Sequence, residues 1–273
     1  MHSTSFDGAL REIRTRRKLS QLELALRAHT SQRHVSFLEQ GRSSPGREIV
    51  MRLGEALELS LRECNELLLA AGYAPAYPQT DLRDKELEPV VDALHDILRG
   101  HLPFPALVIN RRGDLIAANA AIDIFTDQVP PRLLTPPANL YRFTLHPDGL
   151  APRIRNLAAW RRRIIDRLHL ESRSNPDPAL DKLLAELHSY ITSLNASPVP
   201  DDLGFAVPLL LDTTHGELQL ITTIATFSHA CDITLADLKL EAFLPASSTS
   251  ATILTHLDSR RGTRNTVSYP SAT

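Results

Sequence analysis

The stretch SQLELALRAHTSQRHVSFLEQG, residues 20–41, decides the fold of the N-terminal part of this chain. Ser20 followed by Glu23 is a capping-box pattern, which predicts the start of a helix. Ser31 predicts the cap of a second short helix, and Gly41 suits the left-handed position that follows a helix end. Two short helices joined by a tight turn are typical of a helix-turn-helix unit, whose second helix enters the major groove of DNA.

Apolar spacing extends the helical pattern on both sides of this stretch. Residues 6–17 place apolar side chains at intervals of four and three, which predicts a helix in front of it. Residues 49–57 predict a fourth helix, and a second capping box at Ser60 and Glu63 predicts a fifth. We therefore predict an all-α domain of five short helices. A generic helical bundle is the alternative interpretation at this point.

Three residues of the central stretch bear on how its two helices meet. Ala25 is small enough to allow a close crossing, and Val35 is placed to fill the gap between the helices. His29 stands in the turn, where the backbone is left-handed and glycine is usual. Histidine tolerates this region better than most side chains, so we expect mild strain and an intact motif.

Basic residues are concentrated in the same part of the chain. Nine basic and three acidic residues lie between Gly8 and Arg47, a net charge of +6, although the whole chain carries −2. Such a local excess is typical of a surface that binds phosphates. A solvated helix shows the same bias, so charge alone leaves both interpretations open.

These residues together resemble the Cro/repressor-type helix-turn-helix of xenobiotic-response-element (XRE) regulators. The resemblance covers about residues 6–72. Its pattern is Ser-Gln at the start of helix two, Leu-Ala within it, Ser opening helix three, Glu-x-Gly closing it, and Pro before helix four. The resemblance implies a protein that binds double-stranded DNA at an operator.

Position in the motif predicts which residues contact DNA. Gln32 and Arg33 begin the third helix, and these side-chain types pair with adenine and guanine, respectively. Gln21 begins the second helix, where a phosphate is favoured. Phe37 either contacts a thymine methyl group or packs against its own domain or a partner, whereas Glu39 is expected to make a structural bond. The predicted DNA-binding set is Gln21, Ser31, Gln32, Arg33, His34, Ser36, Phe37, Arg42 and Ser43.

A proline-rich segment, residues 75–84, predicts a linker between two domains. We expect the DNA-binding domain in residues 1–74, a second domain in residues 85–258, and a disordered tail in residues 259–273. The second domain has two strand-like runs, then helices, then three more strand-like runs, which predicts an α+β fold with a five-stranded antiparallel sheet. The predicted strands are 104–110, 115–118, 205–211, 217–227 and 238–244, and the predicted long helices are 85–99, 153–170 and 178–194.

Two stretches of the second domain carry a further resemblance. PALVINRRGDLIAANAAIDIF (105–125) and NLYRFTLHPDGL (139–150), together with the link after LLLAAGYAP (67–75), resemble MmyB-like regulators and their C-terminal ligand-binding domain. The resemblance implies a PAS-like domain that binds a small apolar ligand such as a fatty acid. The family's Phe-Ala-x-x-Trp segment is missing, and SLNASPVPDDLGF (193–205) stands in its place.

Apolar side chains of the sheet and of its covering helices are the candidates for the wall of a ligand pocket. Ordinary core packing is the alternative for each of them. Arg153, Arg155 and the run Arg161–Arg163 either hold an acidic headgroup or form a solvated helix face. The predicted ligand-binding set is Ile109, Ile116, Phe125, Leu157, Trp160, Ile164, Ile221, Ile224 and Phe243.

The sequence offers no catalytic residues and no metal ligands at recognisable spacing, so we expect no enzyme and no certain cofactor. It also lacks an apolar run of membrane-spanning length and a signal-peptide pattern, which favours a cytoplasmic protein. A homodimer is expected, because one short helix reads few base pairs. We expect a ligand-responsive transcription regulator. The alternatives are a C-terminal domain that only dimerises or binds a protein partner, and an enzyme fused to a DNA-binding domain.

Overall fold

The structure is a computed structural model that describes residues 5–190, 207–261 and 266–268. The chain divides into two compact units. The first contains Met1–Thr80 together with His229–Ala236, and the second contains Asp81–Ser228 and Asp237–Thr273. The division after Thr80 lies within the predicted linker, residues 75–84.

Five short helices build the N-terminal part of the first unit, residues 1–80, which confirms the predicted all-α domain. Both predicted capping boxes are present: the side chains of Ser20 and Ser60 accept from the backbone three residues later, while Glu23 and Glu63 accept from the cap. The apolar faces of the helices meet in one core that includes Ala25 and Val35, as the motif requires. The helices are α1 (Phe6–Arg16), α2 (Gln21–Arg27), α3 (Gln32–Glu39), α4 (Arg47–Ala56) and α5 (Leu61–Ala70).

Each of these five helices is followed by a residue with a left-handed backbone. Glycine takes this position after α3 and α5, at Gly41 and Gly72. Lys18, His29 and Glu58 take it after α1, α2 and α4, with φ values of 56°, 51° and 52°. The strain predicted for His29 is therefore confirmed, and two further positions share it, because a side chain crowds the following carbonyl in this conformation.

The second unit is built around one antiparallel sheet, in which the five predicted strands are confirmed. Its strand order is β3-β4-β5-β1-β2-β6. The sixth strand pairs with β2, so part of the tail predicted to be disordered adds an edge to the sheet. Residues 205 and 206 of the predicted third strand lie outside the described residues. The strands are β1 (Ala106–Ile109), β2 (Leu115–Asn119), β3 (Leu209–Thr213), β4 (Gly216–Thr226), β5 (Lys239–Pro245) and β6 (Thr266–Ser268).

Helices surround this sheet, and α10 is the longest of them. It begins at Leu157 rather than at the predicted residue 153, because Asn156 is buried and bonded to the chain at the start of β3. The Asn156 amide donates to the carbonyl of Pro208 over 2.8 Å, and its oxygen accepts from the amide of Leu210 over 3.1 Å. Residues 191–194 of the predicted helix 178–194 lie outside the described residues. The remaining helices are α6 (Glu88–Gly100), α7 (Asp123–Thr126), α8 (Pro131–Leu134), α9 (Leu140–Leu145), α10 (Leu157–Ser174), α11 (Pro178–Ser189), α12 (Ile233–Ala236) and α13 (Ser248–Arg261).

The segment His229–Ala236 lies between β4 and β5 in sequence but folds as part of the first unit. The backbone N–H of Ile233 donates to the carbonyl of Pro78 over 2.9 Å, and the carboxylate of Asp232 accepts from the backbone N–H of Thr80 over 3.0 Å. Sequence reasoning found neither α12 nor these bonds, since their partners are far apart in the chain.

Candidate functional site

Helix α3 presents one face to the core of its unit and the opposite face to solvent. Val35 and Leu38 are fully buried, whereas Gln32 and Arg33 are exposed in the first turn. The hydroxyl of Ser31 caps the helix by accepting from the backbone N–H of His34 over 3.1 Å. The two residues predicted to read bases are therefore held at the solvent-facing start of a capped helix.

Phe37 is half-buried and supports the side chain of Arg33. The guanidinium carbon of Arg33 lies 4.8 Å from the centre of the Phe37 ring, a cation–π distance. This contact favours the second of the two interpretations of Phe37, packing within its own domain. It also restricts the conformations of Arg33, which lowers the entropy lost when that side chain binds a base.

Glu39 is buried and joins α3 to α1 and α2. Its carboxylate accepts from Arg14 at 2.6 and 3.0 Å and from the amide of Gln21 at 2.8 Å. The structural bond expected for Glu39 is therefore confirmed. Gln21, predicted to contact a phosphate, uses one of its amide hydrogens in this network and is fixed at the start of α2.

The remaining predicted DNA-binding residues lie on α3 or in the loop after it. The ring of His34 bonds the hydroxyl of Thr30 over 3.0 Å, and the hydroxyl of Ser36 accepts from the amide of Gln40 over 2.9 Å. Both side chains are half-buried. In the loop that follows α3, Arg42 is exposed and Ser43 is half-buried.

Part of the predicted positive charge is used inside the domain. Arg16 and Arg17 lie 2.5 and 3.7 Å from the carboxylate of Glu63, and Arg27 lies 3.8 Å from that of Glu58. Both acids follow Arg47 in the chain and so fall outside the window that carries +6. The charge count over that window therefore overstates the positive charge that is free to meet phosphates.

A second candidate site is a cavity of about 540 Å³, including its open mouth, in the second unit. Helix α10 forms one wall of the cavity, side chains of β4 and β5 form its floor, and α9 forms another side. The described residues that line it are Phe125, Leu140, Tyr141, Thr144, Leu150, Trp160, Arg163, Ile164, Arg167, Leu209, Thr222, Ile224, Glu241 and Phe243.

Five of the nine predicted ligand-binding residues line this cavity: Phe125, Trp160, Ile164, Ile224 and Phe243. The rings of Phe125 and Phe243 meet edge to face with their centres 4.7 Å apart. The other four do not line it: Ile109 is fully buried, while Ile116, Leu157 and Ile221 are half-buried. Ile221 is excluded because neighbouring residues of a strand point to opposite faces, and Thr222 takes the inward position.

The cavity also contains a buried ion pair that the sequence analysis did not identify. A terminal nitrogen of Arg167 lies 2.8 Å from the carboxylate of Glu241 and 3.1 Å from the hydroxyl of Tyr141. Burial raises the pKa of Glu241, whereas the nearby Arg167 opposes that shift. Burial also raises the pKa of Tyr141, so its phenol stays neutral. A charged residue inside the apolar run LKLEAFL (238–244) is the signal that marks Glu241.

Of the five arginines considered for an acidic headgroup, Arg163 lines the cavity. Arg153 instead donates to three backbone carbonyls, those of Ile124, Asp127 and Asp212. Arg155 pairs with Glu217. The structure therefore places the exposed Arg163 at the cavity, whereas Arg153 and Arg155 are bonded to other parts of the second unit.

No group of three or more His, Cys, Asp or Glu side chains in residues 5–190, 207–261 and 266–268 is arranged to hold a metal ion. In the same part of the chain, no helix has both the length and the hydropathy needed to cross a bilayer.

Comparison with known families assigns both regions. The family model described as "MmyB-like transcription regulator ligand binding domain" matches residues 90–257, which is more than half of the chain. The model described as "Helix-turn-helix" matches residues 10–64. No curated protein matches the chain in sequence. The helix-turn-helix match contains the exposed face of α3, and the ligand-binding-domain match contains the residues that line the cavity. Families of this kind in general bind DNA and ligands rather than catalyse reactions.

Proposed function

Since the chain belongs to the family of MmyB-like transcription regulator ligand-binding domains, we propose that a small, largely apolar molecule in the cavity controls how tightly this regulator binds DNA. DNA binding itself follows from the helix-turn-helix domain. A fatty acid is the ligand class that the family resemblance implies. The observation that carries the proposal is the cavity with its apolar side chains, among them Phe125, Ile164 and Phe243.

The first turn of α3 is the proposed base-reading element. Gln32 and Arg33 are exposed there, and the Phe37 ring holds the Arg33 guanidinium in place. Gln21, Arg42 and Ser43 are proposed to contact phosphates around it, and His34 to face the DNA backbone. Ser36 is proposed to meet the groove one turn further along α3, and Ser31 belongs to the same surface.

The DNA surface is tested by replacing Arg33. Arg33→Ala should weaken operator binding by roughly 1–3 kcal/mol and relax the preference at one base pair. Arg62→Ala is the matched control, because it removes the same charge from α5, outside the proposed surface. Binding to an operator selected from random DNA, and to single-base variants of it, measures both effects. An equal loss in the two variants would show that α3 does not read bases.

The ligand proposal is tested by binding in solution. Trp160 is the chain's one tryptophan and lines the cavity, so its fluorescence reports on occupancy. A series of straight-chain lipids that includes fatty acids and fatty alcohols should change that fluorescence and raise the unfolding temperature, because a ligand that binds only the folded protein stabilises it. Neither effect with any of these lipids, and no lipid carried through purification, would favour a domain that only dimerises or binds a protein partner.

We also propose that the protein is a homodimer with a PAS-like second domain and that it acts in the cytoplasm, where its DNA target lies. A two-fold protein matches operator half-sites about 34 Å apart. Linkage requires that a ligand which changes DNA affinity also has its own affinity changed by DNA, by the same factor. Sedimentation of the free and DNA-bound protein, with and without ligand, measures the oligomeric state. A monomer on DNA would exclude the dimer.

A further inference from the structure

Building on the proposed apolar ligand, we infer that this ligand carries an uncharged group that both donates and accepts hydrogen bonds, a hydroxyl being the simplest. The group is placed inside the cavity, against Trp160, Thr222 and Glu241. The inference rests on the proposed function of the cavity. It concerns the polar part of the ligand, about which the apolar lining gives no information.

Four neighbouring side chains on one face of β4 and β5 form the floor of the cavity. Thr222 pairs across the strands with Phe243, and Ile224 pairs with Glu241. The two polar residues of this floor, Thr222 and Glu241, are therefore diagonal neighbours on the two strands, about 7–8 Å apart. One ligand hydroxyl between them is close enough to bond both side chains.

Four polar atoms of residues lining this cavity are buried without a hydrogen-bond partner among the described residues. They are Nε1 of Trp160, Nε of Arg167, Oγ1 of Thr222 and Oε1 of Glu241. Oε1 of Glu241 lies at ion-pair distance from Arg167, yet no donor is aligned to hydrogen-bond it. Buried polar atoms are nearly always paired in proteins, because an unpaired atom has lost its bonds to water without gaining any in exchange. Several such atoms around one cavity indicate a missing polar partner.

The chemistry of these atoms specifies that partner. The Trp160 N–H only donates, and the Thr222 hydroxyl both donates and accepts. Glu241 only accepts, because the guanidinium of Arg167 at 2.8 Å keeps its carboxylate ionised. A hydrocarbon satisfies none of them, and an ether oxygen accepts but cannot donate. A carboxylate accepts from Trp160 but is repelled by Glu241, since Arg167 is already neutralised by its pair with that residue. A hydroxyl satisfies all three side chains.

Three probes of nearly equal size separate these cases: 1-decanol, its isomer methyl nonyl ether, and decanoate. Titration calorimetry on the full chain at neutral pH measures each affinity. We expect decanol to bind about tenfold more tightly than the ether and more tightly than decanoate. Equal affinities for decanol and the ether, or a preference for decanoate, would overturn the inference while leaving the apolar cavity as a ligand site. No binding of any probe would overturn the proposed ligand function itself.

Two conservative variants test the assigned atoms. Thr222→Val removes the hydroxyl at constant shape, and Trp160→Phe removes the N–H but keeps an aromatic ring. Each should weaken decanol binding several-fold without lowering the unfolding temperature of the free protein, because it deletes an unpaired buried atom. Thr223→Val is the matched control, since Thr223 is exposed on the other face of β4. Unchanged decanol binding in both variants would overturn the inference.

Glu241→Gln tests the charge argument. The change keeps an acceptor at this position and removes the repulsion of an anion, while Arg167 gains a free positive charge. Decanoate should then bind at least about tenfold more tightly, and decanol within a few-fold of the original protein. A variant with unchanged decanoate affinity would contradict the role given to Glu241.

Discussion

Glu39 shows how one buried residue shapes the DNA-binding surface without facing DNA. It lies at the end of α3, is 7% exposed, and accepts from Arg14 on α1 and from Gln21 at the start of α2. A single carboxylate thus orients the two helices of the motif relative to each other. Its neighbour Arg14 has a raised pKa because it donates to this carboxylate, and so stays charged.

Replacing Glu39 should destabilise the domain. Glu39→Ala leaves the largely buried Arg14 without its carboxylate partner, which should lower the free energy of unfolding by about 3 kcal/mol. It should also weaken DNA binding, since Gln21 loses its anchor. Glu12→Ala removes an exposed acid from α1 and should change stability by less than about 0.5 kcal/mol. Urea unfolding measures the free energy of unfolding of both variants. A loss in Glu39→Ala as small as that in Glu12→Ala would contradict a structural role for Glu39.

At the scale of the element, the residues that follow each of the helices α1–α5 determine where that helix ends and the next one begins. His29 is exposed and has φ of 51°, so its side chain adds strain without packing. His29→Gly should raise the free energy of unfolding by about 1 kcal/mol. The same replacement in the middle of a helix, Glu12→Gly, should lower it by about 1 kcal/mol. Destabilisation by both changes would show that His29 does more than complete the turn.

Helices α9 and α11 are joined by a polar cluster whose strength depends on pH. Arg142 donates to both carboxylate oxygens of Glu186 at 2.9–3.0 Å, and the hydroxyl of Tyr190 donates to the same carboxylate over 2.5 Å. The bonds from Arg142 are the main reason that the pKa of Glu186 lies below its ordinary value. The ionised carboxylate therefore stabilises the fold above the unfolded-state pKa of about 4.3 and loses this effect as pH falls.

Glu186→Gln should make the free energy of unfolding less dependent on pH in the acidic range. Between about pH 5 and pH 3, the free energy of unfolding should fall less steeply in this variant than in the original chain. Glu86→Gln, at an exposed position, should keep the original slope. Urea unfolding at several pH values gives these slopes. A slope unaltered by Glu186→Gln would exclude the cluster as a source of acid sensitivity.

At the scale of the whole molecule, the chain itself connects the cavity to the DNA-binding unit twice. The linker is one connection, and the segment His229–Ala236 is the other, because it folds with the first unit yet joins β4 to β5. Those two strands supply Thr222, Ile224, Glu241 and Phe243 to the cavity. We therefore expect a movement of these strands on ligand binding to reach this segment through the backbone.

Asp232 is the residue to change in order to test that transmission. Asp232→Ala removes the acceptor for the backbone N–H groups of Thr80, Thr234 and Leu235. It should reduce the effect of a bound ligand on DNA affinity. The affinity for DNA without ligand and the affinity for ligand without DNA should each stay within a few-fold of those of the original protein. Cys231→Ser, at the exposed neighbouring position, should leave the effect intact. DNA titrations at zero and saturating decanol measure the coupling. Full coupling in Asp232→Ala would contradict this route.

Much of the fold could be read from the sequence because its signals are local. Capping boxes, left-handed turns and apolar spacing involve residues within about one helical turn of each other, so the five helices of the first unit and five of the strands were predictable. The sixth strand and the segment His229–Ala236 were not, since their partners are 100 or more residues away in the chain. The orientation of Ile221 was also missed, because a one-residue change of phase reverses the face of a strand.

The sequence alone was sufficient to specify a helix-turn-helix with Gln32 and Arg33 at the start of its second helix, because caps and turns act over a few residues. It was also sufficient to place a mixed helix-and-sheet domain after it. Tertiary structure was needed to show that Glu241, Arg167 and Thr222 enter the cavity. That outcome depends on how β4 and β5 are paired and on α10 lying across them, and long-range packing of this kind leaves no local pattern.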